Sequence, residues 1–129
     1  MKDKRQFILD TLLPFVNGER PTATEGRISS CRYLTNDGRK CAVGLHMLEG
    51  KWQHEQLPVE LLFNMYPKEQ ILTREALDQN LKDNEWYAMQ EVHDIFAQNP
   101  DALPKHVGRL EEISGLKFPE LLKAYKNED

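Results

Sequence analysis

The sequence predicts an α+β fold: a mainly helical single domain over residues 1–129, with one β-hairpin at about residues 30–44 packed on five to seven short helices. Three observations carry this expectation. Thr35, Asn36, Asp37 and Gly38 lie between two β-compatible runs, and Asp-Gly readily supplies the positive φ angles of a type I′ turn. Most of the remaining chain repeats its apolar residues at helical spacing. A length of 129 residues is enough for one self-sufficient core, and no repeat, low-complexity linker or break in composition marks a second.

Residues 3–16 open the chain as a helix with Ile8, Leu9, Leu12, Leu13 and Val16 on one face, and Pro14 should kink it or end it just before. Asn17 and Gly18 suit a helix C-terminus, and residues 19–25 read as loop. After the hairpin, residues 45–48 start a short helix stopped by Gly50. Leu57 to Tyr66 forms a compact helix with Pro58 in its permissive first turn; being apolar on most sides, it is expected at the centre of the core. Thr73 caps a helix over 74–81, and Asp83 caps the clearest helix, 84–98. In that helix Ala88, Met89, Val92, Ile95 and Phe96 make one stripe, with Trp86 and His93 at its edge and Glu91 and Asp94 on the other side. Residues 104–113 and 119–125 give two more short helices, separated by Ser114 and Gly115, and residues 116–118 could form a brief extended piece.

The hairpin carries both cysteines of the chain, so its register decides what they can do together. With Asp37-Gly38 as a two-residue loop, Leu34 pairs with Cys41, and Cys31 and Cys41 point to opposite faces, which argues against a disulfide or a shared metal. A three-residue loop pairs Tyr33 with Cys41 and brings both thiols to one face. The first register is the one adopted here. Nine intervening residues also differ from the two to four that let one knuckle grip zinc, so no metal site and no cofactor is expected.

Cys41 is the residue with the strongest claim to chemistry, since it stands where a strand meets a helix and helix N-termini favour thiolates. Arg39 and Lys40 beside it act in the same direction. The competing assignment is a small buried hydrophobe. A nucleophilic cysteine needs a base, and His46, His54, His93 and His106 are the available imidazoles. His93 and Asp94 suggest a triad, but adjacent helical residues do not face each other, so Asp94 should be a poor orienter and a solvent-facing residue. A histidine bordering an apolar stripe suits packing as well as catalysis. Trp52, between Lys51 and Gln53 in a polar loop, suits an exposed anchor for a partner or a cap on the core.

The net charge of −4 gives no electrostatic reason to bind nucleic acid. Arg27, Arg32, Arg39 and Lys40 gather around the hairpin, where edge cations discourage strand-to-strand pairing and could also contribute a binding face. No apolar run approaches the ~20 residues of a membrane span, and the N-terminal segment lacks the continuous apolar region of a signal peptide. A cytoplasmic protein with free thiols is the expectation.

Four segments together resemble a family of small phage and bacterial proteins of uncharacterised function. They are Cys31-Arg32-Tyr33, Asp37-Gly38, Lys40-Cys41-Ala42-Val43-Gly44 and Gln90-Glu91-Val92-His93-Asp94. The resemblance covers about the first three quarters of the chain and brings no activity or cofactor with it. It implies a phage or mobile-element setting, in which a small acidic protein acts by binding a host protein or defence enzyme. Two functional expectations follow. The first is an interaction module, using Trp52 or the basic hairpin residues Arg32, Arg39 and Lys40. The second is a thiol-dependent hydrolase or acyl-transfer enzyme using Cys41 with His93 or His46, which requires sulfur within roughly 4 Å of an imidazole nitrogen in an accessible cleft.

Overall fold

A computed structural model describes residues 3–25, 30–31, 33–35, 37–50, 52 and 57–126. Arg27, Arg32, Asn36, Lys51, Gln53 and His54 lie outside the described residues, and Cys31 enters only through its backbone pairing. Seven α-helices are described: α1 (Lys4–Val16), α2 (Val59–Met65), α3 (Lys68–Ile71), α4 (Arg74–Leu77), α5 (Asp83–Gln98), α6 (Leu103–Ser114) and α7 (Pro119–Tyr125). Short 3-10 turns cover Gly44–His46 and Pro100–Ala102.

The α+β expectation is corrected: the described fold is mainly helical, without a β layer for the helices to pack on. Its extended pairing is limited to a ribbon of two residues per strand, Thr24–Glu25 against Ser30–Cys31, and the isolated bridges Leu34–Lys40 and Met47–Leu72. The expected hairpin over 30–44 does not form a sheet. Its first arm pairs backwards, with Cys31 opposite Thr24. Its second arm touches the first only around the turn, where the Thr35 amide donates to Arg39 O at 2.8 Å and the Cys41 amide to Tyr33 O at 3.4 Å. Leu34 opposite Lys40 is the register of the three-residue loop, not the two-residue loop adopted from the sequence. The Thr35 side chain explains the longer loop: its hydroxyl accepts from the Arg39 amide at 2.9 Å and donates to Asp37, so side chains close the turn.

The second arm stops because its next amides are spent elsewhere. The Val43 amide donates to Gln90 Oε1 on α5 at 3.0 Å, and the Gly44 amide reaches Cys41 Sγ at 3.3 Å. Backbone groups satisfied this way are lost to a strand ladder.

α1 is capped by Asp3, which accepts from the Gln6 amide at 2.8 Å, and it runs through Pro14 to Val16. Pro14 does not end the helix, because the Asn17 amide still closes the last turn on Leu13 O at 2.9 Å, while the Pro14 carbonyl accepts the Arg20 amide at 2.9 Å. α5 is the central element, packed against α1, α2 and α6. Its burial is wider than one stripe: Glu85, Trp86, Gln90 and His93 are buried together with Ala88, Met89 and Val92. The helix expected at the centre, α2, is instead half-exposed. It buries Val59, Leu62 and Phe63 and turns Leu61 and Met65 outward. α4 is shorter than predicted, ending at Leu77, with Asn80 at φ 56° in the following turn. α7 closes the core between α1 and α6 with Phe118 and Leu121 fully buried. Arg5 fastens it by a paired bond to the Glu120 carboxylate at 2.6 and 2.7 Å and a third bond to Lys117 O.

Candidate functional site

The two segments that looked most like chemistry, residues 40–44 and 90–94, meet inside the molecule. Gln90, His93 and Asp94 occupy successive positions i, i+3 and i+4 of α5 and therefore share one side of it. Gln90 directs its amide oxygen to Val43 N, as above, and its amide nitrogen to Asp94 Oδ1 at 2.8 Å. His93 Nδ1 lies 2.9 Å from the same Asp94 oxygen, and His93 Nε2 accepts the Ala23 amide at 3.1 Å.

These contacts assign the His93 tautomer. A backbone N–H can only donate, so Nε2 is the unprotonated nitrogen and Nδ1 carries the proton that goes to Asp94. The ring is 1 % exposed and stands edge-on to Phe15 at 4.8 Å. Both nitrogens are occupied, and no lone pair is left to take a proton from a nucleophile. Here a sequence argument is overturned: Asp94 does orient the neighbouring ring. Its short side chain folds along the helix, so that one oxygen serves both the i−1 imidazole and the i−4 amide.

Cys41 is completely buried. Burial, as the dominant cause, pushes its thiol up to about 12; the nearby Asp94 carboxylate acts in the same direction, while hydrogen bonds from the Gly44 amide, Gln90 and the Val43 amide oppose it. Among the described residues, no histidine is a cause of this shift. The helix-terminus argument fails because the segment after Cys41 is a single 3-10 turn, too short to carry an appreciable dipole. A neutral, sealed thiol is neither a nucleophile nor a metal ligand as placed.

His46 lies elsewhere. Its Nε2 is 2.8 Å from the Thr11 hydroxyl, which also sits 2.9 Å from Phe7 O, and its ring packs against Phe7 and Trp86 at centroid distances of 4.5 and 5.8 Å. The structure therefore does not bring Cys41, His93 and His46 together as one catalytic set. His106 is a third separate case, with Nδ1 2.6 Å from Glu91 Oε1 between α5 and α6. No group of three or more His, Cys, Asp or Glu side chains suited to a metal occurs among the described residues.

The binding candidates are also redistributed. Trp52 is not an exposed anchor: it is 8 % exposed and packs on Tyr66 with ring centroids 4.6 Å apart. Arg39 holds the turn, donating through Nε to Asp37 at 2.9 and 3.1 Å and through Nη1 to Thr22 O at 3.0 Å. The Thr35 hydroxyl and the Arg39 guanidinium together hold the Asp37 carboxyl below its ordinary range. Lys40 is half-buried at the Leu34 bridge, and Arg32 is outside the described residues.

Besides Leu48 at 43 % exposure, the exposed large apolar side chains that the sequence reading missed are Leu61 and Met65, at 49 % and 58 %. They stand one turn apart on α2, so they share its outer face. The available signal was their i, i+4 spacing out of phase with Leu62 and Phe63, hidden because the helix reads as apolar on most sides. Lengthwise, no described helix is long and apolar enough to cross a membrane. Comparison with family models, curated proteins and solved structures finds no match to this chain.

Proposed function

We propose that this chain is a small interaction module that acts by occupying a surface of a host protein, such as an enzyme or a defence component, through the outer face of α2. The observation that carries the reading is the pair Leu61 and Met65: large apolar side chains presented to solvent on one helix face, beside a core that buries the other large residues of α2. A helix face of this kind fits an apolar groove on a partner, and methionine adapts to irregular apolar surfaces. The mobile-element and cytoplasmic setting rests on the sequence resemblance and composition alone. The sealed Cys41 thiol and the fully engaged His93 ring give no support to a thiol-dependent enzyme.

The test places a photo-crosslinking amino acid at position 61 or, as a control, at the exposed position Glu112 on α6, in cells of a bacterial host. A discrete adduct from position 61 and none from 112 is expected. The double variant Leu61→Glu/Met65→Glu should keep its unfolding temperature and abolish the adduct formed from an adjacent probe at Asn64. Equal labelling from both positions, or an adduct that survives the double variant, would remove α2 as the contact face.

A further inference from the structure

The Gln90–His93–Asp94 cluster has a consequence separate from binding. Two backbone amides twenty residues apart, Ala23 and Val43, are each held by a different α5 side chain, and both of those side chains are oriented by one atom, Asp94 Oδ1. Without that oxygen the Gln90 amide can flip, which would present an N–H to the Val43 N–H. Likewise the His93 ring can change tautomer, which would present an N–H to the Ala23 N–H. Either event turns a hydrogen bond into a donor–donor clash.

We infer that Asp94 is a positioning residue that couples these two attachments, so that Ala23 and the Cys41–Gly44 turn detach from α5 together, in a local opening that leaves the rest of the helical body folded. The geometry supports this in a second way. Asp94 is half-buried at the edge of the cluster, whereas Gln90, His93, Ala23 and Val43 are all buried, so the oxygen that sets the arrangement is its most solvent-accessible member. Buried polar networks lose more than one bond when a shared member fails, because each stranded donor or acceptor then lacks a partner. The Cys41 sulfur is a built-in reporter. It is fully buried and hydrogen-bonded to Gln90 and the Gly44 amide, so a labelling reagent reaches it only through an opening.

The experiment measures the rate at which Ellman's reagent modifies Cys41 in a Cys31→Ser background, where Cys41 is the remaining thiol. Asp94→Ala should speed labelling by about tenfold or more, the scale expected for stranding hydrogen bonds to a charged acceptor. Asp94→Asn, which retains an acceptor oxygen at the same place, should change the rate by less than about threefold. Arg5→Ala, which loosens α7 on the far side of α1, supplies the control for general destabilisation and should also leave the rate within about threefold. A tenfold acceleration by Arg5→Ala, or none by Asp94→Ala, overturns the inference. If Asp94→Ala does not fold, amide exchange on the unsubstituted chain decides. Ala23 and Val43 should show equal protection, below that of Val92 in the middle of α5. Unequal protection, or protection matching Val92, overturns the coupling.

Discussion

At the scale of single residues, two positions in the 40–44 segment are explained by packing, and each makes a prediction. A Cβ built on Gly44 would lie 2.0 Å from Tyr33 O and 2.8 Å from Tyr33 C, a backbone contact that no side-chain rotation can relieve. The glycine is there for close approach: at this position the chain runs so near the Tyr33 carbonyl that no side chain fits between them. Gly44→Ala is therefore expected to cost about 3 kcal/mol or more, the upper range for overpacking, read as a lowered urea midpoint with an unchanged m-value. Cys41 makes a prediction in pH. Its thiol is pushed from an ordinary 9.0 up to about 12 in the folded chain, so between those values the unfolded state has lost a proton that the native state keeps. Fewer protons bound in the unfolded state means that stability falls as pH rises, beginning near 9 and continuing towards 12. Unfolding midpoints measured across that window should decline in the native sequence. Cys41→Ala should lose some packing energy but show a shallower decline, and parallel slopes would contradict the burial of the thiol. From the sequence Cys41 carries two readings, a thiolate at a helix start and a small buried hydrophobe, and its complete burial sides with the second; Gly44 enters there only as part of the resembling segment. A cysteine between Lys40 and a helix start has the same local signature whether the sulfur faces solvent or core, and only the arrival of α5 over the turn decides between them.

At the scale of elements, α5 shows why local rules captured its position and underestimated its surroundings. Its length and apolar stripe were legible because Ala88, Met89 and Val92 obey the helical period. Its burial of Glu85, Gln90 and His93 was not, because periodicity treats a polar residue as solvent-facing unless a partner is known. Those partners come from residues 4, 23 and 43, far away in sequence. Glu85 is the sharpest case. Its side chain is fully buried, one oxygen accepts the Lys82 amide at 2.8 Å in a helix-capping contact, and the other is met by Lys4 Nζ from the first turn of α1. The pair thus joins the beginnings of two core helices, with the carboxylate also at the positive end of α5. Breaking a buried pair by removing one partner strands the other, at a cost of about 3 kcal/mol, reduced here because Lys4 is partly exposed. Lys4→Met alone should be destabilising by about 2 kcal/mol, and Lys4→Met combined with Glu85→Gln should recover at least half of that loss. Thermal unfolding of the four members of this double-mutant cycle measures the coupling. A strictly additive cycle would mean that Lys4 and Glu85 do not hold α1 to α5.

At the scale of the whole molecule, the error in fold class has a physical origin in how polar backbone groups are shared out. Turn chemistry at Thr35–Gly38 does produce a turn, so the local signal was real. A sheet, however, needs several consecutive amides free to pair, and here the following amides go to Gln90 and to the Cys41 sulfur. Two-stranded ribbons are marginal unless a partner covers them, so the extended segments yield to the helices they rest on. The same distribution separates structure from candidate function. The residue types that suggest catalysis in one dimension, namely Cys41, His93 and Asp94, are used instead to hold Ala23 and the Cys41–Gly44 turn on the central helix. On the opposite account, the feature most available to another macromolecule is apolar: Leu61 and Met65 on α2, a helix whose other large side chains complete the core. Their placement makes a structural as well as a functional demand. α2 must stay docked through Val59, Leu62 and Phe63 while presenting hydrophobic surface to water, and that exposure brings no stability to the isolated chain. A contact face and a core face on one short helix therefore pull in different directions, and the packing of α2 on α5, with Phe63 against Tyr87 at 6.2 Å between ring centroids, is part of what keeps the core face in place.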